Sequence, residues 1–188
     1  MSNGLQWVPT LALVPALAMA AEHPSAEWGE AAEVRYRDQA VVTYRARVDS
    51  SHVVIEAEHA PGWHSYALDN VERARAWTGK AEPETELPTR IEVVGGLAVD
   101  GPWFQSPPEE LSQPEIRWFT WGFSGASRFA AKVKRGEGED SWARINGQAC
   151  NAELCARIDD LLVRVPVEDA ALVDEKTFVA GDLVRAQH

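Results

Sequence analysis

The chain has 188 residues, carries 18 Lys plus Arg against 29 Asp plus Glu, and has a net charge of −11. With an N-terminal segment set aside, about 160 residues remain, enough for one domain with a single well-covered core. The acidic balance works against a nucleic-acid backbone or an anionic membrane surface as partner and fits a soluble exported protein.

Trp7 to Ala21, "WVPTLALVPALAMAA", is an apolar run, and "ALAMA" offers the alternating small residues preferred at a signal cleavage site. Residues 1–20 therefore read as a signal peptide, although "MSNGLQ" before the run has no Lys or Arg. The alternative is an uncleaved anchor, against which the run is shorter than the ~20 residues of a spanning helix. Residues 21–33 read as a linker, 34–168 as the folded domain and 169–188 as a C-terminal tail. No stable membrane insertion is expected after cleavage. The expected location is the periplasm or another exported, oxidising space in which two cysteines can pair.

From residue 34 onward "VRYRDQAVVTYRARVDSSHVVIEAEHA" alternates apolar and polar residues, which predicts strands over Ala40 to Val48 and His52 to Ala60. "PGWH" marks a turn and "WHSYAL" a further strand. Glu72 to Thr89 has no clear period and reads as a long exposed connection, followed by a strand at "PTRIEVV". Val99 to Pro114, with four prolines, reads as a loop. "EIRWFTWGFSGASRFAAKVKR" restores strand character, "GEGED" is a turn, and "SWARINGQA" and "IDDLLVRVPV" form two more strands. A short helix is expected at "EDAALVDEKTFVA" in the tail. Many short strands with turns between them predict an all-β sandwich or barrel with long loops and a short C-terminal extension.

The two cysteines, Cys150 and Cys155, lie in "INGQACNAELCARIDD" with four residues between them. If the flanking strands form a hairpin, both sit at its mouth or in its loop, within the reach a disulfide requires. As a staple the bond would close a six-residue loop, worth about 2 kcal/mol against about 4.7 for a loop of a hundred residues. Redox work and a structural staple both remain open. A copper or zinc site through Cys150, Cys155 and His64, with His52 and His59 elsewhere, is the third reading; two thiols are too few for the common structural zinc patterns, so no metal is expected. No cofactor is expected either: the chain has no Gly-rich phosphate loop, no Ser-centred nucleophile motif and no HExxH.

"PGWHSYALDN", then "ELPTRIEVV", then "INGQACNAELC" followed by "LLVRVPV" resemble, in this order and spacing, the N-terminal periplasmic domain of the DsbD thiol:disulfide interchange proteins. The similarity spans roughly Val41 to Val167. The resemblance implies an immunoglobulin-like β-sandwich that passes electrons from a membrane electron-transfer protein to periplasmic disulfide oxidoreductases through a Cys150/Cys155 pair. It casts Cys155 as the attacking thiol and Cys150 as the resolving one. His64 and Tyr66 would line the site by their place in the motif, with His64 assisting deprotonation of a thiol, although a histidine on a strand is more often a packing residue. Glu153, Asp159 and Asp160, if close in space, would disfavour the thiolate.

The family also shields its cysteines with an aromatic cap loop, for which Trp103, Phe104, Trp118, Phe119 and Trp121 are the candidates; aromatics on strands usually build the core instead. The prolines that often follow the second cysteine in the family are here "ARIDD". The expectation is a stand-alone domain reduced by a separate membrane protein. The competing function is a non-catalytic immunoglobulin-like binding domain of the cell envelope with a structural disulfide.

Overall fold

Period-two burial organises the first strands. In β2 (Gln39–Asp49) Val42, Tyr44, Ala46 and Val48 are buried while Thr43, Arg45 and Arg47 turn outward, and in β3 (His52–His59) Val53, Ile55 and Ala57 answer them in register. Such alternation arises when one face of a sheet meets the core and the other meets water. The computed structural model describes residues 27–167, 178 and 180–187; the expected signal peptide and the expected tail helix lie outside or almost wholly outside them.

The domain is an all-β sandwich. One six-stranded sheet runs β1 (Ala32–Tyr36), β2, β3, β9 (Ala126–Arg135), β6 (Leu97–Gln105), β12 (Val184–Arg185). The other runs β11 (Cys155–Arg164), β10 (Ser141–Cys150), β4 (His64–Tyr66), β8 (Trp121–Ser124), β7 (Glu109–Glu110), and β5 (Arg90–Gly95) also pairs with β10. Every pairing is antiparallel. The inner faces meet over Tyr44, Ile55, Phe129, Ile145 and Val163, none of them exposed. Phe123 of β8 and Phe129 of β9 lock one sheet to the other edge to face, with ring centroids 5.4 Å apart.

Two of the expected connections are structured. Residues 72–89 begin with a helix, α1 (Asn70–Thr78), closed by Gly79 in the left-handed conformation, whose N–H bonds Arg75 O at 2.8 Å. Its buried residues are Asn70 and Ala74, one step of four with no apolar stripe around it, so it leaves no helical period in the sequence. The expected loop from Val99 to Pro114 instead contains most of β6. Pro102 falls where the β6–β9 register breaks, between Val99 and Trp103, and at such a bulge a missing N–H interrupts no ladder. The tail returns as β12, which pairs Val184 with Gln105 and Arg185 with Phe104.

That return is held by a buried carboxylate. Asp69, with no exposed side-chain surface, accepts Arg73 Nε at 2.8 Å and Gln105 Nε2 at 2.6 Å on Oδ1, and the Gln187 N–H at 3.0 Å on Oδ2. Gln105, itself fully buried, accepts the Leu68 N–H at 2.9 Å. Burial pushes the Asp69 carboxyl up, but the three donors and the Arg73 charge outweigh it and hold it below its ordinary value.

Candidate redox site

Strands β10 and β11 form one hairpin, and its final pair is Cys150 opposite Cys155. The two are joined by a disulfide with their Cα atoms 4.0 Å apart, the close approach of a directly opposed, non-hydrogen-bonded pair. Asn151 shapes the turn between them: its N–H bonds Leu154 O at 2.9 Å, and its Oδ1 accepts the N–H groups of Glu153 and Leu154, both at 2.9 Å. This is the side-chain turn chemistry for which Asn is suited. Cys150 is 3% exposed, whereas Cys155 is open to solvent.

On its other side the end of β10 pairs with β4, placing His64 directly across from Cys150 and Ser65 across from Ala149. Because side chains alternate between faces, Cys155, Cys150 and His64 make a row on one face of the sheet. Tyr66, two residues on, shares that face, and its Oη lies 3.1 Å from His64 Nε2. The sequence-predicted residues Cys150, Cys155, His64 and Tyr66 are thus brought together. Burial draws the His64 imidazole below its ordinary value, with the Glu86 charge opposing, so it is neutral at pH 7. Burial and Glu86 together hold the Tyr66 phenol protonated.

Glu86 is the residue that sequence reasoning missed. A carboxylate oxygen of Glu86 and both cysteine sulfurs lie within 4.8 Å of one another. The placement is built from two sides. Asn70, fully buried, donates Nδ2 to the Glu86 carbonyl at 2.9 Å and to Thr85 Oγ1 at 3.1 Å, and its Oδ1 accepts the Trp121 N–H at 2.8 Å and Thr120 Oγ1 at 3.1 Å. Gln148 Nε2 donates to the Glu86 carboxylate itself. Gly147 lets this segment lie against β10: at φ 145° a Cβ there would sit 3.2 Å from the Pro88 carbonyl oxygen. Nothing periodic in "ETELP" signals this, because the position is set by long-range bonds from Asn70 and Gln148.

The acidic residues named from sequence proximity are otherwise engaged. Asp159 pairs with Arg157 at 2.8 Å, and Asp160 accepts Asn146 Nδ2 at 3.1 Å with Arg144 at 3.9 Å. Glu153 is exposed at the turn. A half-buried carboxylate with no ion-pair partner among the described residues, Glu86, is the negative group at the sulfurs.

A cleft of about 380 Å³ opens onto the pair, bounded by His64, Tyr66, Glu86, the turn 151–154 and, opposite, Leu111, Gln113 and Trp118. Gln113 and Trp118 bond each other across a narrow hairpin, Gln113 N–H to Trp118 O at 2.7 Å and Trp118 N–H to Gln113 O at 3.1 Å. Trp118 is therefore the one of the five aromatic cap candidates that lines the cleft. Trp103 and Phe104 belong to β6 in the other sheet. Phe119 and Trp121 pack instead with Trp77 of α1, at ring distances of 6.4 and 6.3 Å. His59 is buried, with Nδ1 2.6 Å from Gly125 O and Nε2 2.8 Å from Ser65 Oγ, and His52 stacks on Phe178 at 4.1 Å. Neither histidine joins the cysteines.

No family model and no curated protein matches the chain. Two solved structures are similar to it. One is the N-terminal domain of DsbD from Neisseria meningitidis in the reduced form, 13% identical, with a TM-score of 0.46 over 78% of this chain and 91% of that one. The other is the N-terminal periplasmic domain of ScsB from Proteus mirabilis, 15% identical, with a TM-score of 0.45 over 74% of this chain. The match covers 49% of that second structure, about half its length. Among the described residues no helix is long and apolar enough to cross a membrane.

Proposed function

We propose that the chain is an exported thiol:disulfide interchange protein, passing electrons between a membrane reductant and periplasmic disulfide partners through Cys150 and Cys155. The observation that carries this reading is the asymmetry of the pair: an exposed residue, Cys155, bonded to a buried one, Cys150, both lining an open cleft. A bond that only stapled strands already hydrogen-bonded in register would gain little from closing so short a loop. The order of the motifs around "GWHSYA" and "GQACNAELC", which resembles the DsbD N-terminal domain, supports the same partners.

In this reading a thiolate of the reductant attacks Cys155 Sγ in line with the disulfide, the Sγ–Sγ bond breaks, and Cys150 leaves as a thiolate. The second thiol of the reductant then attacks the mixed disulfide and frees Cys155. Two electrons have moved, and the reductant leaves oxidised. In the forward direction the Cys155 thiolate attacks the target's disulfide, and Cys150 resolves the mixed disulfide. In this reading neutral His64, hydrogen-bonded to Tyr66, exchanges a proton at Cys150, a role supported by its position across β4 and β10 from that residue. Glu86 disfavours the thiolate in the free reduced protein, which limits its attack until a docked partner changes the local field.

The decisive experiment is equilibration of the chain in graded thiol buffers, with alkylated cysteines counted by mass. A potential above about −300 mV with rapid exchange is the expected result. A lower potential, or a bond that resists reduction until the domain unfolds, would make the disulfide a staple and the domain a binding module.

A further inference from the structure

We propose that the reduced Cys150/Cys155 pair and Glu86 together form a binding site for Zn²⁺. The three ligand atoms are already gathered within 4.8 Å by a cross-strand pair and a carboxylate brought in from another part of the chain. A tetrahedral zinc with sulfurs at about 2.3 Å and a carboxylate oxygen at about 2.0–2.2 Å sets its ligands about 3.5–3.8 Å apart. Once the bond between the sulfurs is gone, the sulfurs separate to that spacing and Glu86 needs to close by no more than about 1.3 Å. Directly opposed Cα atoms 4.0 Å apart send both thiolates to the same face.

Glu86 has what a ligand needs and what an ordinary surface carboxylate lacks. It is half-buried, has no ion-pair partner among the described residues, and is oriented by Gln148 on its carboxylate and by Asn70 on its backbone. Hydrogen bonds to a ligating group are the usual means of aiming it at a metal. The donor set also selects the cation. Two thiolates disfavour the oxygen-seeking Mg²⁺ and Ca²⁺, and a mixed set of two thiolates and a carboxylate suits borderline Zn²⁺, whereas Cu⁺ is satisfied by the two sulfurs and gains nothing from Glu86. Three protein ligands leave one position open toward the cleft, for water or for a thiol of a docked protein.

The chemistry balances without electron transfer. Two thiols and Zn²⁺ give a zinc dithiolate and release two protons, and the disulfide form, having no thiolate, has no such site. A cation that binds the reduced form alone draws the couple toward reduction, raising its potential by about 30 mV for each tenfold excess of free Zn²⁺ over its Kd. Zinc would thereby act as a removable guard on the reduced thiols. The inference rests on the exchange reading only in requiring that the pair be reducible.

The test uses the full chain, reduced with a phosphine, freed of reductant without oxygen, and shown by alkylation to hold two free thiols. Titration with Zn²⁺ alone is expected to give one equivalent bound, and Co²⁺ in its place a thiolate-to-metal absorption band; the oxidised chain is expected to bind neither. Glu86→Gln, which keeps an acceptor for Gln148, is expected to weaken Zn²⁺ at least tenfold, whereas Glu137→Gln, exposed in the turn between β9 and β10, leaves affinity within twofold. Absence of binding to a chain with two free thiols, or Glu86→Gln binding as tightly as wild type, overturns the proposal. Slow exchange in thiol buffers would overturn the exchange reading and leave this one standing, because reduction here is chemical.

Discussion

Cys150 and Cys155 stand opposite each other in register on one face of the sheet, yet the first is buried and the second is exposed to solvent. The difference follows from their neighbours. Cys150 has β4 on one side and β11 on the other, whereas Cys155 opens the edge strand of its sheet. One sulfur is therefore available to an incoming thiolate, and the other is shielded until the bond between them breaks.

This asymmetry predicts which cysteine carries the mixed disulfide. In Cys150→Ser, mixed disulfides with a partner or with glutathione should accumulate on Cys155; in Cys155→Ser, Cys150 should be alkylated at least tenfold more slowly than Cys155 is in the reverse variant. Mass spectrometry of trapped species measures both. Equal reactivity of the two would remove the ordered attack-and-resolve scheme.

Glu86 sets a second prediction, made on the reduced chain without metal. Removing a negative charge within 4.8 Å of both sulfurs favours the thiolate, so Glu86→Gln should be alkylated several-fold faster than wild type at pH 7. The effect should shrink as the pH rises and the thiols ionise in both. Glu137→Gln, exposed in the distant turn between β9 and β10, is the control and should change the rate by less than twofold. A Glu86→Gln rate equal to that of wild type would show that its charge does not reach the thiols.

The first strands of the sandwich, in the sheet opposite the cysteines, were legible because their period is local. "VVTYRARV" and "HVVIEAEH" state their own buried faces, and the expected strand over 52–60 differs from the observed one by a single terminal residue. The cysteine row with His64 and Tyr66 was accessible through motif order. What could not be read is whatever depends on contacts far along the chain. Glu86 owes its place to Asn70 and Gln148, β6 to a bulge that accommodates Pro102, and the return of residues 184–187 to a hydrogen bond from Gln187 to Asp69. None of these leaves a periodic trace.

Acid sensitivity should come from histidines held neutral. Burial draws both His59 and His64 below the ordinary value of 6.5, so below pH 6.5 the unfolded chain takes up protons that the native one refuses. Stability is then full above pH 6.5 and falls as the pH drops toward the folded values, by at most about 1.4 kcal/mol per pH unit per histidine. Melting temperatures from pH 7.5 to 5 should decline, and His59→Gln should flatten that decline while lowering the plateau, since His59 bridges Gly125 O and Ser65 Oγ. An unchanged slope in His59→Gln would assign the acid sensitivity elsewhere.

Asp69 separates folding from chemistry. Its carboxylate is fully buried and accepts Arg73, Gln105 and the Gln187 N–H, so Asp69→Ala strands a cation and two neutral donors at once. Removing one partner of a buried charged network costs about 3 kcal/mol or more, roughly 6–12 °C in melting temperature for a domain of this size. The cost should appear first as proteolysis near residues 184–187, whose attachment to β6 and Asp69 is lost. The site itself is held by different bonds, from Asn70, Gln148 and Asn151. At a temperature where Asp69→Ala remains folded, its reduction potential should therefore stay within about 10 mV of wild type, about a twofold change or less in the redox equilibrium. A larger shift would mean that the tail strand is coupled to the disulfide through the sandwich, and that the two ends of the domain do not act independently.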